Sequence, residues 1–272
     1  MSKVILLTGA SSGIGYLAAQ GLARAGHRVY GGARRLDKLE KLKQDGVQPL
    51  YLDLTKEQTI KQALAVVIQA EGRLDVLINN AGYAAFGAIE DVALEEARKQ
   101  FEVNLFGLAR LTQEVLPYMR AQKSGRIINI SSTGGRITTI MGSWYHASKY
   151  ALEALSDGLR METKTFGIET VIIEPASIKT PWSQIAAENL RTSAVGGAYE
   201  KMAKKVSQSI EKMYAGRLIS EPGLVARRIV KIVNAKRVKP RYLVGRGAKT
   251  IVFLHSILPA RVFDWLVVKS LT

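Results

Sequence analysis

Thr8-Gly9-Ala10-Ser11-Ser12-Gly13-Ile14-Gly15 is the stretch on which the fold turns. It closes a short apolar run and opens an amphipathic segment over residues 13–25, so it reads as strand, turn and helix in succession. Glycines in such a turn permit a tight bend and let backbone approach a phosphate, with helix N–H groups aimed at it. The spacing is G-x-x-x-G-x-G rather than G-x-G-x-x-G. The competing reading is a glycine-rich turn that binds nothing. The strand before it and the helix after it argue for the phosphate.

The pattern continues outward from this turn. Residues 4–8, 28–33, 47–53, 76–79, 126–131 and 169–174 read as strands rich in Val, Ile and Leu. Helical patterns separate them, over 13–25, 56–70, 94–121 and 145–166. Such alternation implies right-handed crossovers and a parallel sheet buried on both faces. The expected architecture is a doubly wound α/β sheet, with its ligand beyond the C-terminal strand ends. After Glu174 the alternation stops. Residues 181–217 read as helical and basic with a turn at Gly196-Gly197, and a further helix follows Ser220-Glu221-Pro222. Residues 241–244 read as a last strand, and the apolar tail over 250–269 is cut by Pro259, Arg261 and Asp264. No repeat, linker or low-complexity segment divides the 272 residues, so one domain over 1–272 is expected.

At 47% hydrophobic and 23% charged, the composition excludes disordered and fibrous classes. Cysteine is absent, which removes disulfides, thiolate metal sites and thiol nucleophiles together. Three scattered histidines (His27, His146, His255) form no short zinc motif, so no metal is expected. The apolar run after Met1-Ser2-Lys3 is too short for a signal peptide, and no stretch reaches transmembrane length. A cytoplasmic protein is expected. The net charge of +16 is unevenly placed: residues 191–272 carry 17 basic and 4 acidic side chains, against 22 and 19 before them.

The second strand ends Gly31-Gly32-Ala33-Arg34-Arg35, where dinucleotide folds often place an acid for the ribose 2′-OH. No acid appears until Asp37, and a guanidinium suits a 2′-phosphate. NADP(H) is therefore favoured over NAD(H), unless both arginines merely solvate the next helix. Asp53-Leu54 and Asn79-Asn80-Ala81-Gly82 close the third and fourth strands, where a cofactor should rest. Asp53 could contact the adenine amino group, and Asn80, Ala81 and Gly82 let backbone pack against adenosine. Asn and Gly are also ordinary turn formers.

Tyr145-His146-Ala147-Ser148-Lys149 puts a phenol and an ammonium at i and i+4 on one helix face. A lysine beside a phenol favours phenolate and lowers its pKa from about 10, as an acid/base near neutrality needs. The motif alone proves little; its position raises it. It opens the long helix after the fifth strand, which ends Ser131-Ser132, thirteen residues before Tyr145. His146 is turned about 100° away on the helix and reads as structural or exposed. Trp144 reads as lining the site or packing the helix entrance, and Tyr150 as a packing residue.

Taken together, Thr8 to Gly15, the Asn-Asn-Ala-Gly run, Ser132, Tyr145 and Lys149 resemble the short-chain dehydrogenase/reductase family in order and spacing. The resemblance covers residues 3–180. It implies a Rossmann-type sheet of about seven strands, a nicotinamide cofactor and no metal. It further implies that Tyr145 is the acid/base, that Ser132 holds the substrate oxygen, and that Lys149 binds the nicotinamide ribose and depresses the tyrosine pKa. Asn104, in Phe101-Glu102-Val103-Asn104-Leu105, matches the family's asparagine that anchors a water-linked proton relay. By the same resemblance Gly9, Ser11, Ser12, Gly13, Ile14 and Gly15 cradle the phosphates. Arg34, Arg35, Asp53, Leu54, Asn80, Ala81 and Gly82 then hold the adenosine half, and Tyr145, Lys149, Pro175, Ile178 and Thr180 the nicotinamide half. Ala176 stands where the family usually has glycine. The implied reaction exchanges hydride between NADP(H) and a carbonyl/alcohol pair, and members commonly form dimers or tetramers.

In this family the segment over 181–217 would form a substrate lid. Trp182, Ile185, Leu190 and Tyr199 from the lid, with Phe86, Gly87 and Trp144 opposite, would make an apolar wall. The expected substrate is a steroid-, retinoid- or lipid-like ketone or aldehyde. The chain continues well beyond its last strand, which resembles the hydroxysteroid and retinol dehydrogenase-like branch. In that tail Ile251, Leu254, Leu258, Val262 and Trp265 fall at helical spacing. Such a surface must be covered by the domain, another subunit or a membrane interface. Packing on the domain or a partner subunit is favoured over peripheral membrane contact. The flanking Lys236, Arg237, Lys239, Arg241, Arg246 and Lys249 would nonetheless suit anionic headgroups. Nucleic-acid binding through the basic third lacks any recognised motif. A cofactor-sensing regulator would have lost Tyr145 or Lys149, and both are kept.

Overall fold

The computed structural model describes residues 2–180, 182–216 and 219–272, and for 182–185 the backbone alone. Seven strands form one sheet: β1 (Val4–Thr8), β2 (Arg28–Ala33), β3 (Val47–Tyr51), β4 (Val76–Asn79), β5 (Gly125–Ile130), β6 (Ile168–Pro175) and β7 (Arg241–Val244). Their order is β3-β2-β1-β4-β5-β6-β7, and every pairing is parallel. The helices of the first half are α1 (Gly13–Arg24), α2 (Leu36–Lys43), α3 (Glu57–Glu71), α4 (Leu94–Phe101) and α5 (Gly107–Ala121). Those of the second are α6 (Ser143–Thr163), α7 (Trp182–Ser193), α8 (Glu200–Ala215), α9 (Pro222–Asn234), α10 (Ala248–Ile257) and α11 (Ala260–Leu271).

The period of two along β1 sends alternate side chains to opposite layers. Ile5 and Leu7 enter a core shared with α1, α2 and α9, whereas Val4 and Leu6 enter one shared with α3 and α5. Burial on both faces explains why β1 reads as an unbroken apolar run. From β1 the chain proceeds to β2 on one side, while β4 lies on the other. The crevice beyond the carboxyl ends of β1 and β4 is therefore the topological switch point.

Three readings need correction. The helix expected over 94–121 is interrupted by a π-helical turn at Glu102–Phe106, inside which Asn104 is buried. Strand β3 ends at Tyr51, so Asp53 stands in the loop beyond it. The tail forms two helices, because Pro259 cannot continue the first. The apolar positions expected at helical spacing divide between two sides there: Val262 and Trp265 face outward, and Phe263 and Val267 pack inward against Ile137.

Candidate active site

The loop after β1 is shaped by contacts that leave no room for side chains. A Cβ on Gly15 would lie 2.3 Å from the Gly9 carbonyl oxygen and 2.5 Å from Asn80 Nδ2. Gly13 has φ +57°, and a Cβ there would meet Thr180 Cγ2 at 3.4 Å, so the loop's mouth faces the segment after β6. Ser12 caps α1 in extended geometry without a side-chain cap bond, and the first turn carries no acid. The helix N-terminus thus presents its N–H groups and positive dipole end to an anion. Asn80 braces the loop from β4: its Nδ2 donates to the carbonyls of Thr8 (3.0 Å) and Gly9 (3.3 Å). The backbone N–H groups of Asn80 and Ala81 both donate to Thr8 Oγ1, each at 3.0 Å.

At the β2 end, Arg35 Nη2 donates to Ser11 Oγ at 3.3 Å, which links the exposed guanidinium to the glycine loop. Asp53 spends Oδ1 on the N–H and hydroxyl of Thr55, at 3.0 and 2.8 Å. Leu54 is buried, and its carbonyl lies against Gly107 at the start of α5. A glycine cradle, a bare helix N-terminus and a guanidinium at its rim are the donors a dinucleotide diphosphate needs. The residues present fit that group.

The chemical centre gathers on α6 and the loop after β5. Ser132 caps a 3-10 turn at Thr133–Gly135, its Oγ accepting the Gly134 N–H at 3.0 Å. With a lone pair so occupied, its proton is directed elsewhere, and it hydrogen-bonds the Tyr145 phenol. Lys149 is buried one turn further along α6, its Nζ donating to the Ile130 carbonyl at 3.0 Å. A Cβ on Gly82 would lie 3.7 Å from that Nζ and 3.0 Å from Asn104 Oδ1. Asn104 is held on three sides: Oδ1 accepts from the Tyr83 N–H (3.0 Å), and Nδ2 donates to the Tyr83 carbonyl (2.9 Å) and Ser148 Oγ (3.0 Å). The π turn therefore pins the loop after β4 to α6. Such turns often occur at functional sites.

Electrostatics here differ from expectation. Burial pushes the Tyr145 phenol up to about 12, opposed only by the Ser132 hydrogen bond. Burial likewise brings Lys149 down to about 8, against the field of Glu153. At both groups burial favours the neutral form and outweighs the opposing contributions of Ser132 and Glu153.

Comparison with known proteins settles the family. Residues 3–191 match the family model for short chain dehydrogenases. The chain is a short-chain dehydrogenase/reductase. It is similar to the 3-ketodihydrosphingosine reductase of Bacteroides thetaiotaomicron, with 38% identity over 77% of this chain and 75% of that protein. It is also similar to the NADPH-dependent 3-dehydrocapnine reductase of Ornithobacterium rhinotracheale, 33% identical over 99% of this chain and 97% of that protein. A solved short-chain dehydrogenase from Streptomyces avermitilis superposes with a TM-score of 0.80, 33% identical, covering 98% of this chain and 97% of that one. The protein is thus a nicotinamide-dinucleotide-dependent oxidoreductase on a Rossmann-type fold.

Around the centre of this short-chain dehydrogenase/reductase, the segment expected as a lid folds as α7 and α8, joined through Gly196-Gly197. Phe86, Met141, Leu190, Ala194 and Val206 build an apolar cluster against which Tyr145, Tyr199 and Tyr214 pack. The rings of Phe86 and Tyr145 stand 5.7 Å apart. The expected contributions of Phe86, Leu190 and Tyr199 are thereby located, while the side chains of Trp182 and Ile185 lie outside the described residues, as do Pro181 and Arg217. Gly87 approaches Ser193 at the end of α7. Trp144 packs instead with Ala85, Val92 and Ala97, edge-on to Phe101. Tyr214 was not foreseen; it lies close enough for its phenol to be raised by burial and by Tyr145. Ile178 pairs with Ser220, which fixes the loop carrying Thr180. Ala176 finds room because Gly245 faces it, where a Cβ would come within 3.3 Å of the Ala176 Cβ.

His146 is buried and structural. Its Nδ1 donates to the Gly134 carbonyl at 2.9 Å, which leaves Nε2 to accept from the Thr139 N–H (3.1 Å) and hydroxyl (2.9 Å). Burial lowers its pKa from 6.5, so below that pH the unfolded chain binds more protons than the folded one. Stability falls as pH drops below about 6.5. His27 shifts in the same direction. The difference between wild type and His146→Gln in urea titrations at several pH values isolates the His146 share: the acid-side slope should flatten in the variant.

Proposed function

We propose that this short-chain dehydrogenase/reductase reduces an apolar ketone or aldehyde with NADPH, its residues 1–272 acting as one unit. The observation that carries the reading is the Ser132–Tyr145 pair. A phenol held up to about 12 is protonated at neutral pH, the form that donates to a carbonyl oxygen. Bound in the crevice, the dinucleotide supplies hydride to the carbonyl carbon. Gly9, Ser11, Ser12, Gly13, Ile14 and Gly15 would hold its phosphates, Arg34 and Arg35 the 2′-phosphate, and Asp53, Leu54, Asn80, Ala81 and Gly82 its adenosine. Lys149, Pro175, Ile178 and Thr180 would hold the nicotinamide half.

Ser132 donates its hydroxyl to the substrate oxygen and stabilises the negative charge that develops there. Tyr145 donates the proton to the same oxygen. Lys149, at about 8, is mostly ammonium at neutrality, the form that would donate to the ribose hydroxyls of the nicotinamide half. Asn104 positions the π turn and, through Ser148, the register of α6. The cluster of Phe86, Met141, Leu190 and Val206 excludes water and favours an apolar, lipid-like substrate. The relative named for a 3-keto substrate and the NADPH-dependent relative support the same reading. Exposed Phe106, Tyr150, Leu155 and Met161 on α6 and the π turn support a homo-oligomer.

Calorimetric titration with NADPH and NADH side by side tests the cofactor. NADPH should bind more tightly, and replacing Arg34 and Arg35 by Ala should weaken it about 30-fold, as one or two charge-assisted hydrogen bonds imply. NADH affinity should change less than about threefold, since it lacks the phosphate those side chains would meet. NADH binding equal to or tighter than NADPH binding would refute the preference.

A further inference from the structure

The α10–α11 hairpin is covered on one side only. Phe263 and Val267 turn inward onto Ile137, and Leu271 reaches the lid cluster that holds Tyr145 and Tyr214. Outward, Phe253 and Ile257 of α10 are 60% and 56% exposed, and Trp265 of α11 is 57% exposed, beside exposed Val262 and Leu266. Spacings of three and four place each set along one helix face. A lysine ends each stripe. Lys249 stands four residues before Phe253, and Lys269 four after Trp265, its ammonium 4.7 Å from the indole centre. Such stems lie along apolar surface while their heads reach toward polar groups.

The surroundings are predominantly basic, although α8 also exposes Glu200 and Glu211. Arg246 and Arg261 flank the stripes, and Asp264 is the one acid between residues 246 and 272. Helix α8, on which α11 packs, exposes Lys201, Lys204, Lys205 and Lys212. A second copy docked symmetrically here would set this basic region against itself. An anionic lipid layer matches both the apolar stripes and the charge around them. No helix among the described residues is long and apolar enough to cross a membrane.

We propose that the outer face of α10 and α11 docks on an anionic lipid bilayer, lying in its interface with Phe253, Ile257, Trp265 and Leu266 among the acyl chains. Lys249 and Lys269 reach the headgroups. The contact sets the lid beside the lipid, on the side where Leu271 meets the Tyr145 cluster.

Flotation of the full chain with vesicles tests this without reference to turnover. Vesicles of phosphatidylcholine with phosphatidylglycerol should carry the protein, pure phosphatidylcholine far less, and raised salt should release it. Phe253→Ser with Trp265→Ser, and separately Lys249→Glu with Lys269→Glu, should each reduce binding about tenfold while melting temperature and NADPH affinity stay unchanged. No binding to anionic vesicles, or binding that both pairs of substitutions leave intact, overturns the proposal. So does a wild-type dimer that Phe253→Ser with Trp265→Ser turns into monomers, since the face would then be covered by a second copy.

Discussion

Tyr145→Phe should lower kcat on any carbonyl substrate by about 10³-fold, within the range for losing a positioned general acid. The ring stays in place, because its packing against Phe86 and the lid cluster needs no hydroxyl. Dinucleotide affinity should therefore hold within about twofold, and stability should fall by about 1 kcal/mol at most, the scale of the lost hydrogen bond to Ser132. Ser132→Ala should cost about 10²-fold, the scale of one oxyanion donor, with kcat reduced more than KM is raised. Loss of NADPH absorbance during turnover reads both. Undiminished activity in Tyr145→Phe would remove the phenol from the acid/base role.

Why the tyrosine was legible and its surroundings were not is a matter of sequence distance. Tyr145 and Lys149 sit one helical turn apart just after the fifth strand, and Thr8 to Gly15 is a single loop after the first, so local spacing and position in the strand order place them. The seven strands were legible for a similar reason: burial on both faces leaves unbroken runs of Val, Ile and Leu. Asn104 was found through a motif, but the π turn around it was not, because Glu102 to Phe106 has no residue that forbids an ordinary helix. Its bonds to Tyr83 and Ser148, made across loops, hold the widened turn in place.

The pKa reading failed for a related reason. A four-residue spacing says that an ammonium is near a phenol; it does not say that both are buried, and burial decides the sign for Tyr145. In the tail the helical spacing was legible and so was the break at Pro259, but spacing does not say which side meets the domain: Phe263 and Val267 turn inward and Trp265 outward. Tyr214 carried no signal at all beyond lying in a basic, helical lid.

The largest effect on stability should come from Arg241. This β7 side chain reaches Glu153 (3.2 Å) and Asp157 (2.5 Å) on α6 and Glu174 (3.3 Å) on β6. Glu153 is 88 residues away in sequence, which is why the network went unread. Yet Tyr145, Lys149, Glu153 and Asp157 recur every fourth residue, so Arg241 ties the chemically active face of α6 to the edge of the sheet. Glu174 is fully buried and keeps a second partner in Arg136 at 3.2 Å. Glu153 is already pushed up to about 7 by burial and by Glu174, with a Ser131 hydrogen bond and Arg241 acting against them.

Arg241→Met removes the cation from that opposition and leaves buried Glu153 and Glu174 facing one another. The expected destabilisation is about 3–4 kcal/mol at pH 8, the cost of breaking a buried ion pair from one side. The sign of its pH dependence follows from protons bound. A Glu153 pKa raised further in the folded variant means the folded state holds more protons than the unfolded one above about 4.5, so stability recovers as pH falls through the raised value. Urea midpoints at pH 8 and pH 5.5 should therefore differ less from wild type at the lower pH. Arg241→Lys should fall between, because one ammonium cannot fork toward several carboxylates. A variant as stable as wild type at pH 8 would show that Arg136 and Arg160 suffice to neutralise the cluster, and that α6 is held in place by its apolar face instead.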